Sequence, residues 1–201
     1  MAETTFSIAA GADDGDARGS GASYPPAATS APSTAVETYA IKWLNAGTYY
    51  LYVPMFRFDT SSLADSAIIS AATLRLYVLD KGGDADNRSL SAGWYAGSNW
   101  PIDTSDYTTV DQTDAHSGTD LTGISFPASL DLALTNLSNI DKTGYTGLRL
   151  TITGGAPTGA NNLTFATLEH ATQPEAQLIV TYTLPSLLEP RRHDRNTLLR
   201  R

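Results

Sequence analysis

The chain has 201 residues, of which 41% are hydrophobic and 17% charged, with a formal net charge of −8. That is enough apolar content for one well-buried core and too much for a disordered chain. The absence of cysteine excludes disulfides and thiolate zinc sites. An acidic balance argues against a nucleic-acid partner, which needs a basic face, and with no apolar run near the ~18 residues of a spanning helix, no membrane partner is expected.

The opening MAETTFSIAAGADDGD carries an acid at its third position and no basic or apolar stretch, so it is not read as a secretory signal. Within it TTFSIAA alternates Phe6 and Ile8 with polar residues, the period of a strand. Residues 11 to 35, GADDGDARGSGASYPPAATSAPSTA, are almost wholly small, Pro and Asp. They are expected to form one long loop without regular structure, of the kind that is either functional or disordered. Asp13, Asp14 and Asp16 in this loop are a candidate calcium site, because a hard cation takes several oxygens from a flexible segment. Asp80, Asp84 and Asp86 form a second such group. Neither matches the D-x-D-x-D-G loop with its distal Glu, so structural calcium is carried as one hypothesis and no other cofactor is expected.

In AGTYYLYV a strand places Tyr49 and Leu51 on one face and Tyr50 and Tyr52 on the other. MFRFDTS sets Phe56 and Phe58 around Arg57, TSSLADSAI reads as a turn, and TLRLYVL alternates Leu74, Leu76 and Val78 with Arg75 and Tyr77. DKGGDADN and TGGAPTGANN punctuate the pattern, with hairpin turns expected at Gly82 and Gly154. LALTNLSNID places Leu130, Leu134 and Leu137 on one face of a short helix. GLRLTIT, LTFAT and AQLIVTYT read as further strands. Many short strands with little helix predict an all-β, antiparallel jelly-roll β-sandwich over residues 1–184, with one short helix and an extended terminal arm.

The arm, residues 185–201, begins where Pro185 stops the sheet. It carries a charge of +3 against −11 for residues 1–184, an asymmetry typical of an interaction segment. Leu187, Leu188, Leu198 and Leu199 are too few to bury one another. Arg191, Arg192, Arg195, Arg200 and Arg201 suit bidentate pairing with carboxylates of a partner. A docking arm is the expectation.

Chemistry is harder to find. His116, His170 and His193 are scattered, and there is neither a G-x-S-x-G elbow nor a phosphate loop, so no enzyme activity is expected. A sugar platform would draw on Trp43, Tyr49, Tyr50, Tyr52, Trp94, Tyr95 and Trp100, with Tyr50, Tyr52, Trp94 and Trp100 as the named candidates. Large aromatics in a sandwich also fill its core.

The segment MFRFDTSSLADSAIISAATLRLYVLD, followed in order by SLSAGWYAGSNW, GLRLTITGG and QPEAQLIVTYT, resembles the DNRLRE-type β-sandwich family from about Thr5 to Thr183. The resemblance implies a jelly-roll module of the kind attached to carbohydrate-active and cell-surface proteins and found in tailed-bacteriophage virions. It implies no catalytic residue. The expectation that follows is a non-enzymatic structural virion protein, a capsid decoration or cement protein assembled in the host cytoplasm. It would bind the major capsid protein or other virion subunits in many copies or as a homo-oligomer, and its arm would contact neighbouring subunits. The alternative is a carbohydrate-binding module for a surface glycan, free or as a receptor-binding element of a phage tail.

Overall fold

A computed structural model describes residues 1–32, 34–96, 100–107, 111 and 113–185. Their strands are β1 (Ala2–Ser7), β2 (Asp14–Gly21), β3 (Ala28–Ser30), β4 (Glu37–Asn45), β5 (Thr48–Asp59), β6 (Ile68–Asp84), β7 (Ser89–Ala96), β8 (Thr113–Asp120), β9 (Ala128–Ala133), β10 (Tyr145–Ile152), β11 (Asn161–Ala166) and β12 (Gln177–Thr183). They form one curled antiparallel sheet in the order β1-β12-β6-β11-β4-β5-β10-β7-β8, with β2 on β5, β3 on β2 and β9 on β6. The molecule is all-β and of the sandwich type. No helix among the described residues is long and apolar enough to cross a membrane.

Two long strands fold the sheet into layers. β5 pairs with β4 through Thr48–Tyr52 and with β10 through Met55–Asp59, while β2 runs along its other edge from Tyr49 to Phe56. β4 and β10 therefore leave the same edge of β5 and diverge, and the core fills the space between them. This inverts the ordinary rule of alternation. Phe56 and Phe58 point into the core, whereas Tyr50 and Tyr52, of the same parity, lie half-buried outside it. β6 is shared in the same way, by β12 through Ile68–Arg75 and by β11 through Val78–Asp84, with β9 on Thr73–Val78.

The main core is built from the alternating residues of these strands. Leu148 of β10 sits across from Phe56 on one side and Trp94 on the other, and all three are fully buried with Phe58, Phe165, Leu74, Leu76 and Leu132. Each such side chain contributes roughly 1.5–3 kcal/mol relative to exposure. A smaller cluster of Ala17, Met55, Tyr95, Ile102 and Tyr107 packs on the opposite side of β2, β5 and β7. It fixes Gly19, where a Cβ would collide with the Tyr107 ring.

Three sequence expectations are corrected. Residues 11–35 are not one irregular loop, because they contain a 3-10 turn at Gly11–Asp13 and the strands β2 and β3. The expected helix is the strand β9 followed by a 3-10 turn at Leu137–Asn139. Leu130, Leu132 and Leu134 alternate in register with β6, and Leu132 and Leu134 enter the core. Gly82 lies inside β6, its missing Cβ leaving room for Asn162, while Gly154 does occupy a turn, at φ +86. TSSLADSAI forms the connection between β5 and β6, where Leu63 plugs into the core.

Candidate functional site

The most distinctive surface lies on β2, β4 and β5, outside the core. Strand register aligns Arg18, Tyr52 and Ile41 in one row and Ser20, Tyr50 and Trp43 in the next. Tyr39, two residues before Ile41 on β4, extends the same face. All are half-buried, so their rings lie against one another and keep one side toward solvent. Trp43 and Tyr50 pack as a tilted pair, with ring centroids 5.6 Å apart and planes inclined by 35°. Tyr39 and Tyr52 meet edge to face at 6.4 Å.

Arg18 sits between the latter two rings, its guanidinium 5.2 Å from Tyr39 and 5.0 Å from Tyr52, within cation–π range. Asp16 holds it there through a forked ion pair. The second Asp16 oxygen also accepts from the Thr38 hydroxyl at 2.9 Å and the Tyr39 amide at 3.0 Å. Asp16 is fully buried, so each of these bonds offsets the cost of taking its charge out of water. It ties β2 to β4 across β5 and so sets the height of the aromatic face.

The Tyr39 and Tyr52 hydroxyls stay protonated. Burial and then the Glu37 carboxylate, which accepts from Tyr39 Oη at 2.8 Å, push Tyr39 up to about 12, and burial raises Tyr52 as well. The face therefore offers flat apolar rings, hydroxyls and a guanidinium already balanced by a carboxylate. That combination suits contact with another macromolecule and lacks a nucleophile with its base.

The other expected site residues lie elsewhere. Trp94 is 1% exposed, donating from Nε1 to the Thr135 carbonyl at 3.0 Å inside the main core, and cannot serve a sugar platform. Trp100 is half-buried against Tyr95 at 5.7 Å and beside the Arg57 guanidinium at 5.4 Å, on the far side of β5 from Tyr50 and Tyr52. Tyr49 faces that far side too, edge-on to Tyr24 at 5.5 Å. Leu187, Leu188, Arg191, Arg192, Arg195, Leu198, Leu199, Arg200 and Arg201 lie outside the described residues.

The calcium expectation at Asp13, Asp14 and Asp16 is also corrected. Among the described residues no group of three or more His, Asp or Glu is placed to hold a metal ion. The reason is that the three carboxylates point to different partners. Asp13 pairs with Arg57 and Asp16 with Arg18. Asp14, fully buried, accepts from the Leu168 amide at 2.9 Å and leaves Oδ1 without a partner. Burial, with Glu169, Asp13 and Glu175 nearby, pushes its carboxyl up to about 7 against the pull of the Leu168 bond. Asp80, Asp84 and Asp86 are likewise dispersed. Asp84 accepts from the Arg88 amide and the Thr122 hydroxyl, and Asp86 from Thr158, Asn161 and Arg88.

Sequence reasoning named Trp43, Tyr50 and Tyr52 but missed Arg18 and Tyr39. The signal for Arg18 was present in DGDARGSG, where charged or hydroxyl residues alternate strictly with Gly and Ala over positions 14–21. Compared with known proteins, the chain matches no family model and no curated relative.

Proposed function

We propose that the chain is a non-enzymatic structural virion protein, a capsid decoration or cement protein that seats its aromatic face on other virion subunits. The observation that carries the reading is the composition of that face: Tyr39, Trp43, Tyr50, Tyr52 and Arg18 on three adjacent strands. Tyr, Trp and Arg are the residues enriched at the energetic centres of protein interfaces, where rigid rings bury much area at low entropic cost. The division of charge between a −11 body and a +3 C-terminal segment adds a second, electrostatic contact for an acidic neighbour. The described histidines support a non-catalytic role. His116 bridges the Ala133 carbonyl and Thr119 at 3.0 and 2.9 Å, and His170 Nδ1 accepts the Gln173 amide at 3.1 Å.

Size fractionation of native source material with mass spectrometry tests the assignment. The chain is expected with megadalton particles in stoichiometric amounts, and recovery only as a small free protein defeats the reading. On such particles, a double substitution Tyr50→Ala and Tyr52→Ala is expected to weaken attachment by about 2–4 kcal/mol, the range for interfacial hot spots.

A carbohydrate-binding module is the second reading, favoured by the half-buried, packed rings of Trp43 and Tyr50, against which a pyranose ring can stack. Retention in polysaccharide affinity gels, lost in the same double variant, would establish it in place of the first.

A further inference from the structure

We propose that Lys42 and Arg88 form a binding site for a small tetrahedral oxyanion, of the sulfate or phosphate type, where the turn between β10 and β11 closes one end of the sandwich. Lys42 alternates on β4 with Ile41 and Trp43, and its register partner on β5 is Leu51, so its side chain leaves the face opposite the aromatic one. Lys42 is 7% exposed, and Arg88, between β6 and β7, is 8% exposed. The site is separate from the surface proposed for attachment.

One turn draws the two cations together. Lys42 Nζ donates to the Gly154 carbonyl at 2.7 Å. Arg88 donates to the carbonyls on either side of it, Thr153 at 2.7 Å and Gly155 at 2.9 Å, and to Ala156 at 3.0 Å. Consecutive carbonyls thus hold two like charges side by side, and Gly154, at φ +86, has no Cβ to press on the guanidinium. Beside them the half-buried Tyr24 ring meets Tyr49 edge to face at 5.5 Å, and Tyr24 lies within the field of Arg88.

Charge and unspent donors select the ligand. Asp86 answers Arg88 at 3.1 Å, whereas among the described residues no carboxylate pairs with Lys42. An ammonium buried without a counter-ion is costly, and burial, followed by the Arg88 charge, pushes Lys42 down to about 8. Lys42 spends one of its three N–H donors on the protein, and Arg88 spends four of its five. The remaining donors come from two directions. They suit the spread oxygens of a tetrahedral anion better than a planar carboxylate, because the Arg88 fork that would grip a carboxylate is already engaged. An anion here supplies the charge that the fold itself does not.

The test uses the free protein and inorganic sulfate, which keeps one charge state from pH 6.5 to pH 9. The chain has three lysines, Lys42, Lys81 and Lys142, so their side-chain NMR resonances are few, and Lys42→Met assigns the first. A saturable shift on adding sulfate, confined to the Lys42 resonance, is expected at pH 6.5. Affinity is expected to fall about tenfold at pH 9 as the amine loses its proton. The other charged and titratable groups around Lys42 are Arg88, Asp86, Tyr24 and Tyr49, residue types that titrate outside this interval. By calorimetry, Lys42→Met is expected to lower sulfate affinity about tenfold or more, as loss of a charged donor does. The absence of a saturable shift, equal shifts at all three lysines, or an affinity unchanged at pH 9 or in Lys42→Met each overturns the proposal. The pH comparison needs no variant, and the aromatic face takes no part in either measurement.

Discussion

Asp16 lies fully buried on β2, held by a guanidinium, a hydroxyl and a backbone amide, while Asp80 on β6 is exposed to water. The two belong to acid-rich segments, 13–16 and 80–86, that read alike in the sequence. The fold treats them as opposites. The first enters the region where β2 crosses the diverging layers, so each of its carboxylates must find a partner or a proton. The second sits at the end of β6, where Asp84 and Asp86 close a turn against Arg88 and Thr158 with solvent at hand. What differs is the solvent each segment meets, and water decides what a charge costs.

Removing the best-satisfied buried acid should have the largest effect. Asp16→Ala leaves Arg18 uncompensated and frees the Thr38 hydroxyl, and is expected to cost about 3–5 kcal/mol in denaturant unfolding, as breaking a buried ion pair does. A cost below that of the exposed acids would erase the contrast between the segments.

Asp14 sharpens it with the opposite sign. Its carboxyl is raised from an ordinary 3.8 to about 7 in the fold, so it binds a proton more tightly when folded. The associated stability is fully present below pH 3.8 and is lost as the pH rises through about 7. Asp14→Asn does not titrate and is expected to be more stable than the parent at pH 8, by roughly 2–4 kcal/mol, with the advantage gone near pH 4. Equal pH profiles of melting temperature would refute this.

The smallest effects belong to the second segment. Asp86 is held down to about 2, first by the Thr158 hydroxyl and further by Asn161 and Arg88, so its contribution is present above pH 3.8 and lost as the pH falls toward 2. Asp86→Ala is expected to cost about 1–2 kcal/mol at neutral pH, and Asp80→Ala less than about 0.5 kcal/mol, both read from urea midpoints.

Much of the sandwich was legible because β6, β10 and β12 carry large apolar residues at period two, and burial of one face enforces that period. β2 was not, since its inward positions are Gly15, Ala17 and Gly19, too small to register as hydrophobic although Tyr107 demands the smallness of Gly19. β9 was misread because Leu130, Leu134 and Leu137 satisfy a helical period while Leu130, Leu132 and Leu134 satisfy a strand. Tertiary pairing with β6 chose the second. The aromatic face was half legible: Tyr50 and Tyr52 were assigned to one side of their strand, but that this side turns outward depends on β4 and β10 sharing an edge of β5, which no local pattern records.

The pairing of β1 with β12, from Ala2 opposite Tyr182 to Ser7 opposite Gln177, has a mechanical consequence. Chain entering at Ala2 and chain leaving at Thr183 lie side by side on neighbouring strands. A pull that separates these two ends loads the ladder one hydrogen bond at a time, as a zipper, instead of shearing all of its bonds together. Such a domain peels open from this corner under low force, while a load applied through the aromatic face reaches β2, β4 and β5 and spares the weak corner.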